Sequence, residues 1–459
     1  MSKPRSEAEY LARMIPPSMA ATGVPRRSFL RGAGMVGAGL AVPGLLAACG
    51  SDDGDEATST ADAGSASGGQ EITFGLNEGD GSGPAYDRRA VAVEAYEASS
   101  GNTIKLNAVD HNTFQEQFNN YIQSNPDDVF TWFAGYRMQQ FAADGLFYDV
   151  SDIFPTDQMS EAFKAASTGA DDKQYFIPEQ NYPWAVYYRK SLWDENGWTP
   201  PATLEEHLAI AAEMEAAGIV PMAFSDKDGW PAMGTCDILN MRINGYDFHM
   251  ALMRHEEAWD SDQVKAVFAA WTDLLPIMQP DPLGRTWQEA ATAFQQNEAG
   301  MYYFGQFMIT DTPEIADEIE DFALFPFPEV DPAIGSGSID APIDGYAMAA
   351  SPKNLEGATD FLTWLGSAEN GDAQVAGGFP QLWANADADT SELSEVQQQG
   401  ADLIGSADSI AQFLDRDTDT GFASTVVIPS LQSYLQNPGD IDSILADMEA
   451  QAQTIFTEE

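Results

Sequence analysis

The feature that most constrains this chain is the alternation of strand and helix in its first ordered stretch. Residues 71–76 read as a strand. Residues 86–100 read as a helix with Ala90, Val93, Ala95 and Tyr96 on the buried side, ended by Gly101. Residues 103–109 alternate as a second strand. A helix over 114–123 follows, with Phe114, Phe118, Tyr121 and Ile122 at helical spacing. Residues 128–133 form a third strand, and a further helix runs to Ala143. Strand, helix, strand, helix, strand is the doubly wound α/β pattern, with parallel strands and right-handed connections. Such sheets bind ligands beyond the carboxyl ends of their strands. Those ends are the loops at 77–78, 110–112 and 132–135. Asn77, Glu78, Asn112, Trp132 and Gly135 are therefore candidate ligand-binding residues.

A second α/β unit follows. Residues 203–218 form a helix, 219–224 a strand, and 225–231 a loop bearing Trp230; a helix passes through Asn240, and another spans 261–278. Between the two units lies 176–190, an aromatic strand entered through Pro178 and Pro183. Each proline removes a backbone donor and holds the residue before it extended. We expect this segment to cross between the units and line a cleft, with Tyr182 and Trp184 facing the cleft and Tyr188 packing away. Trp230, between Gly229 and Pro231 in a loop, suits ligand stacking better than core packing. Asn240 and Asp344 are polar candidates, the latter in an Asp-Gly pair that also suits a turn.

The N-terminal stretch has a different character. Residues 25–31 hold a twin arginine, 32–48 are mildly apolar and rich in Gly and Ala, and Leu46-Ala-Ala-Cys49 follows. This is the layout of an export signal, 1–48, and the last four residues resemble a bacterial lipobox, which implies lipid on Cys49. Residues 49–70, almost all small or polar, read as a flexible tether. The only other cysteine is Cys236, so a lipidated Cys49 leaves no disulfide within the chain. The formal net charge is −51, from 72 acidic against 21 basic residues. Nucleic acid is excluded as a partner, because phosphate binding needs clustered Lys and Arg. Anionic lipid would be repelled, so membrane attachment would rest on the acyl chain.

Signatures of chemistry are weak. Tyr187-Tyr188 cannot act as a pair of metal ligands, because successive strand residues face opposite ways. Residues 415–421 resemble a calcium loop, but the glycine falls one place late and Val426 stands where a Glu is needed. Gly79, Gly81 and Gly83 mistime a nucleotide fingerprint, and no nucleophile elbow or His-Glu-x-x-His occurs. No metal, cofactor or catalytic residue is expected. A secreted glycosidase with two carboxylates is the competing class.

The order of the motifs resembles the extracellular solute-binding proteins of ATP-driven (ABC) importers, in the sugar-binding branch that includes maltose-binding protein. The resemblance rests on 128–137 with Gly145-Leu146, 175–178 with 184–190, 284–294 with 299–301, 341–346 and 361–365, and it spans about 71–456. It implies two α/β lobes joined by about three crossing strands, with the ligand between them: 71–182 with 285–326 as the first lobe, and 183–284 with 327–459 as the second. It places Trp287 near the second crossing and Asp344 near the third, and it favours an aromatic ligand contact at Phe307 and at the loop of Trp132. It further implies capture of a carbohydrate by lobe closure and delivery to the importer's permease; together with the N-terminal signal, we expect a monomer exported by the twin-arginine route and lipid-anchored on the outer face of the membrane. The same fold would serve a polyamine or a glycerol-phosphate compound.

Overall fold

The structure is a computed structural model that describes residues 69–79 and 81–456. The export signal and Cys49 lie outside the described residues. The strands are β1 (Glu71–Leu76), β2 (Thr103–Ala108), β3 (Val129–Phe133), β4 (Ile177–Asn181), β5 (Trp184–Arg189), β6 (Val220–Ala223), β7 (Ala299–Gly305), β8 (Phe322–Phe325), β9 (Ser338–Asp340), β10 (Ile343–Met348) and β11 (Ser409–Ala411). They build two main sheets. The first has the order β2-β1-β3-β10-β4, with β1 parallel to β2 and β3. In it β10 runs antiparallel to both β3 and β4. The second has the order β6-β7-β5-β8, with β6 parallel to β7 and β5 antiparallel to both neighbours.

Each sheet is the centre of a lobe. All five residues of β3 and all seven of β7 are buried, as strands covered on both faces must be. The alternation of side chains sends Ile72, Phe74, Leu76 and Tyr346 into one first-lobe core, with Phe361 and Leu365 from the helix Leu355–Leu365. Phe130 and Trp132 enter the other, with Phe118 and Phe141. The second lobe has a single larger core around Trp193, Trp259 and Trp271.

The division of the chain between lobes differs from the expected one. Residues 285–326 carry β7 and β8, which pair with β5 and β6 in the second sheet. The first lobe instead takes back β10 and the helices Leu355–Leu365 and Ala368–Ala376. The chain crosses at 181–184, at 340–343 and at 389–394, the last before the helix Glu395–Ser406, whose Val396 joins the second core. Strand pairing across long sequence separation decides this, and single-chain periodicity carries no information about it. Trp287 therefore starts a helix inside the second lobe, and Asp344 follows the second crossing. The three-residue β11 pairs in parallel with β9 in the second lobe.

Candidate functional site

The lobes enclose a cavity of about 370 Å³ at the carboxyl ends of the first-lobe strands. Its first-lobe wall starts from the loop after β1. The helix Pro84–Ser100 begins there with proline at its start, where the missing N–H costs nothing. Asn77 is buried, and its backbone N–H is held by Thr131 Oγ1 at 3.0 Å. Glu78 receives Arg89 Nε at 2.8 Å and Nη2 at 2.7 Å. Arg89 also bonds Glu179 and donates to Tyr346 Oη at 2.7 Å. Burial alone would raise the carboxyl of Glu179, but Arg89 and Arg88 hold it below its ordinary range. This buried network fixes the wall rigidly.

The second-lobe wall is aromatic. Trp184 is packed by Phe413 at a ring distance of 4.7 Å and by Phe304 at 4.8 Å. Trp230 stands edge-on to Trp184 at 6.3 Å, and Trp287 stacks on Phe304 at 5.7 Å. Phe307 meets Tyr182 edge-on at 5.2 Å. Trp230, Trp287 and Phe307 are only half-buried. Asp228, Asp311 and Asp415 add carboxylates to this side.

The lobes touch around the cavity. Arg416, from the second lobe, donates to Asp344 at 2.9 Å and to Tyr182 Oη at 3.2 Å, and lies over the Phe133 ring at 4.1 Å. Arg137 pairs with Asp415 at 3.1 Å, Asn112 Nδ2 reaches Asp228 at 3.3 Å, and Gln140 Nε2 reaches Asp419 at 2.8 Å. The segment that carries Arg416 leaves β11 through Phe413, whose φ of 137° and ψ of 148° belong to a region kept almost entirely for glycine. Two buried carboxylates hold it there: Asp417 accepts the N–H of Gln412 at 2.8 Å, and Asp237 that of Leu414 at 2.7 Å.

Asn77, Glu78, Asn112, Trp132, Tyr182, Trp184, Trp230, Trp287, Phe307 and Asp344 all line the cavity. Gly135 and Asn240 do not. Gly135, with φ 97°, lies against the backbone of Arg416, where a Cβ would sit 2.8 Å from the carbonyl oxygen. Asn240 is buried inside the second lobe beside His249 and Asn244. Trp132 lines the cavity mainly as core, 1% exposed and stacked on Phe118 at 3.6 Å. The stretch 415–419 is an interlobe contact. Its carboxylates take Arg137, backbone N–H groups and Gln140, and among the described residues no group of acidic, His or Cys side chains is placed to hold a metal ion.

Sequence reasoning missed Arg88, Arg89, His111, Gln115, Asp228, Asp311, Phe413 and Arg416. Arg88-Arg89 carried one usable signal: paired arginines are uncommon in so acidic a chain, and these open the helix beside the first ligand loop. His111 is half-buried, and the desolvation lowers its pKa.

Two α/β lobes, three crossings and an interlobe cavity lined by aromatic rings and charged side chains define a two-lobed solute receptor. The model of the bacterial extracellular solute-binding proteins matches residues 83–372, more than half of the chain. The chain belongs to that family, whose members are exported receptors and not enzymes. Among solved structures it is similar to the bacterial solute receptor AcbH, described as exclusively preferring β-D-galactopyranose. The two are 38% identical, with a TM-score of 0.79, over 85% of this chain and 100% of that one. A chitin oligosaccharide binding protein shares the fold at 21% identity and TM-score 0.73, over 84% of this chain and 99% of that one. An ABC transporter extracellular-binding protein of Pyrococcus horikoshii is 21% identical over 54% of this chain and 56% of its own length. The chain spans about half the length of the curated relatives it matches.

Proposed function

We propose that this protein captures a neutral carbohydrate of one or two pyranose rings between its lobes and delivers it to the permease of an ABC importer. The observation that carries the reading is the set of unfilled polar atoms at the cavity. Asn77 Nδ2, Arg88 Nε and Trp132 Nε1 are buried donors, and Gln115 Oε1 a buried acceptor, with no partner among the described residues. Buried polar groups left unpaired cost about 1–3 kcal/mol each. A ligand that offers both acceptors and donors, as sugar hydroxyls do, matches such a mixed set.

The same inventory disfavours the other solutes. A polyamine carries no acceptor at neutral pH and would leave three donors empty. A phosphate would need spare positive charge, yet Arg89 is taken by Glu78 and Glu179, Arg416 by Asp344, and the charge of Arg88 is offset by Glu78 and Asp311 within 4.0 Å. Size agrees: 370 Å³ is near the lower end of the roughly 300–1,000 Å³ of ligand pockets, which suits a short saccharide. The half-buried Trp230, Trp287 and Phe307 offer ring faces to the C–H side of a pyranose. The similarity to AcbH makes D-galactose the first sugar to test. The proposal extends to the address: export by the twin-arginine route, a lipid on Cys49, and a monomer held outside the membrane by its tether. A thermal-shift panel of neutral mono- and disaccharides tests it, since a ligand of the native state raises Tm by mass action. A shift with a neutral sugar supports the reading. No shift with any of them, beside a shift with spermidine, rejects it.

A further inference from the structure

Arg88 is the one cavity arginine whose terminal nitrogens make no close contact with a carboxylate among the described residues. It is 4% exposed, its Nε has no partner, Nη1 lies 4.0 Å from Asp311 Oδ1, and Nη2 lies 3.8 Å from Glu78 Oε1. Both distances exceed hydrogen-bond reach, while Arg89 beside it is fully engaged at 2.7–2.8 Å. Glu78 is on the same lobe as Arg88; Asp311 comes from the other, at the end of the helix Phe307–Asp311.

We infer that Arg88, Asp311 and Glu78 grip two adjacent ring hydroxyls of the ligand. Each terminal nitrogen of Arg88 donates to one hydroxyl oxygen, and each hydroxyl donates onward, one to Asp311 and the other to Glu78. Both distances leave room for a bridging oxygen. An oxygen about 2.8 Å from both members of a pair closes a triangle whenever the pair is less than twice that distance apart, and both gaps meet the condition. The fixed fork of a guanidinium matches two neighbouring oxygens, which an ammonium cannot do. Donors and acceptors also match: a hydroxyl donates one hydrogen bond and can accept up to two, and this site offers each hydroxyl one donor and one acceptor. The flanking carboxylates offset the guanidinium charge, so the grip favours a neutral diol over a carboxylate or phosphate. Burial, with Glu78 nearby, raises the Asp311 carboxyl against the lowering effect of Arg88, so Asp311 gains by receiving a further hydrogen bond. Because Asp311 and Arg88 come from opposite lobes, the grip is complete only when the lobes are together.

The inference rests on the carbohydrate reading, and calorimetry separates the two. The parent protein, Arg88→Lys and Asp311→Asn are titrated with D-galactose, D-glucose and D-xylose, then with the monodeoxy derivatives of whichever sugar binds. Arg88→Lys keeps the charge and loses the fork; Asp311→Asn keeps the shape and loses the carboxylate, and it alone carries the test if the lysine variant fails to fold. Each variant is expected to weaken binding tenfold or more. Removing either of two adjacent hydroxyls should weaken binding to the parent by a similar factor; in Arg88→Lys either removal should cost less than threefold, and in Asp311→Asn only removal of the hydroxyl that Asp311 receives should cost so little. Parent-like affinity in both variants, or losses that simply multiply at every hydroxyl, would overturn the grip and leave the carbohydrate reading standing. A parent protein that binds no sugar would overturn both.

Discussion

The two walls of the cavity reach a fixed shape by opposite means. The first-lobe wall is held by charge. Arg89, 1% exposed, is bonded to Glu78, Glu179 and Tyr346 at once, and Gln374 Nε2 also reaches Glu179 at 3.1 Å. The second-lobe wall is held by packing, with Trp184, Trp230, Trp287 and Phe307 resting on the largest hydrophobic core. A charged network has strict geometry and aims hydrogen bonds. An aromatic wall tolerates small shifts, which suits a surface that must close onto the ligand. The polar wall therefore selects and the aromatic wall follows.

Breaking the charged network should have the largest effect. Arg89→Ala leaves Glu179 buried without its partner and is expected to lower stability by about 3–5 kcal/mol in urea unfolding. Two tryptophans sharpen the contrast. Trp132→Ala empties a core position and should cost about 3–5 kcal/mol of stability. Trp230→Ala should cost far less stability and weaken sugar binding by about 2 kcal/mol, close to thirtyfold, by calorimetry. Equal effects of the two on stability would contradict the assignment of Trp132 to core and Trp230 to cavity.

Stability should also depend on pH with opposite sign in the two lobes. Burial raises Asp226, in the second lobe, to about 8. The unfolded chain releases this proton near pH 4 and the folded chain keeps it to about pH 8. The folded state thus binds more protons in that window, and the contribution of Asp226 falls as pH rises through it, by at most about 1.4 kcal/mol per pH unit. Glu179 is held below its ordinary value, so its contribution is present above that value and is lost only as pH falls through its lowered pKa. Asp226→Asn should flatten the slope between pH 4 and 8 in thermal melts. The smallest effect is expected at Gln140, which bonds Asp419 and Thr420 outside the cavity. Gln140→Ala removes an interlobe contact and should weaken binding by about 1 kcal/mol, with the order of preference among sugars unchanged.

Much of this was legible in the sequence. The strand ends at Asn77, Asn112 and Trp132 follow from alternation and from the rule for doubly wound sheets, and the loop position of Trp230, between Gly229 and Pro231, marks it out; Trp184 lines the cavity while packing into the second core. The exchange of 285–326 for the segment carrying β10 was not legible, because it is decided by pairing between residues far apart in the chain. Nor were the partners of the charged side chains. Arg416 reads locally as one residue in an acidic loop, and only the fold brings it to Asp344 and Tyr182. Gly135 shows the same limit in reverse: it lies in the predicted loop but is covered by that segment.

The central claim, a cavity made for a neutral polyhydroxylated ring, is tested most directly by calorimetric titration of the purified protein with D-galactose and a panel of other neutral pyranoses, spermidine and glycerol 3-phosphate under one set of conditions. Saturable one-to-one binding of a neutral pyranose, with no heat of binding from the other two, is the predicted result. Saturable binding of spermidine or glycerol 3-phosphate, with none from any neutral pyranose, would contradict it.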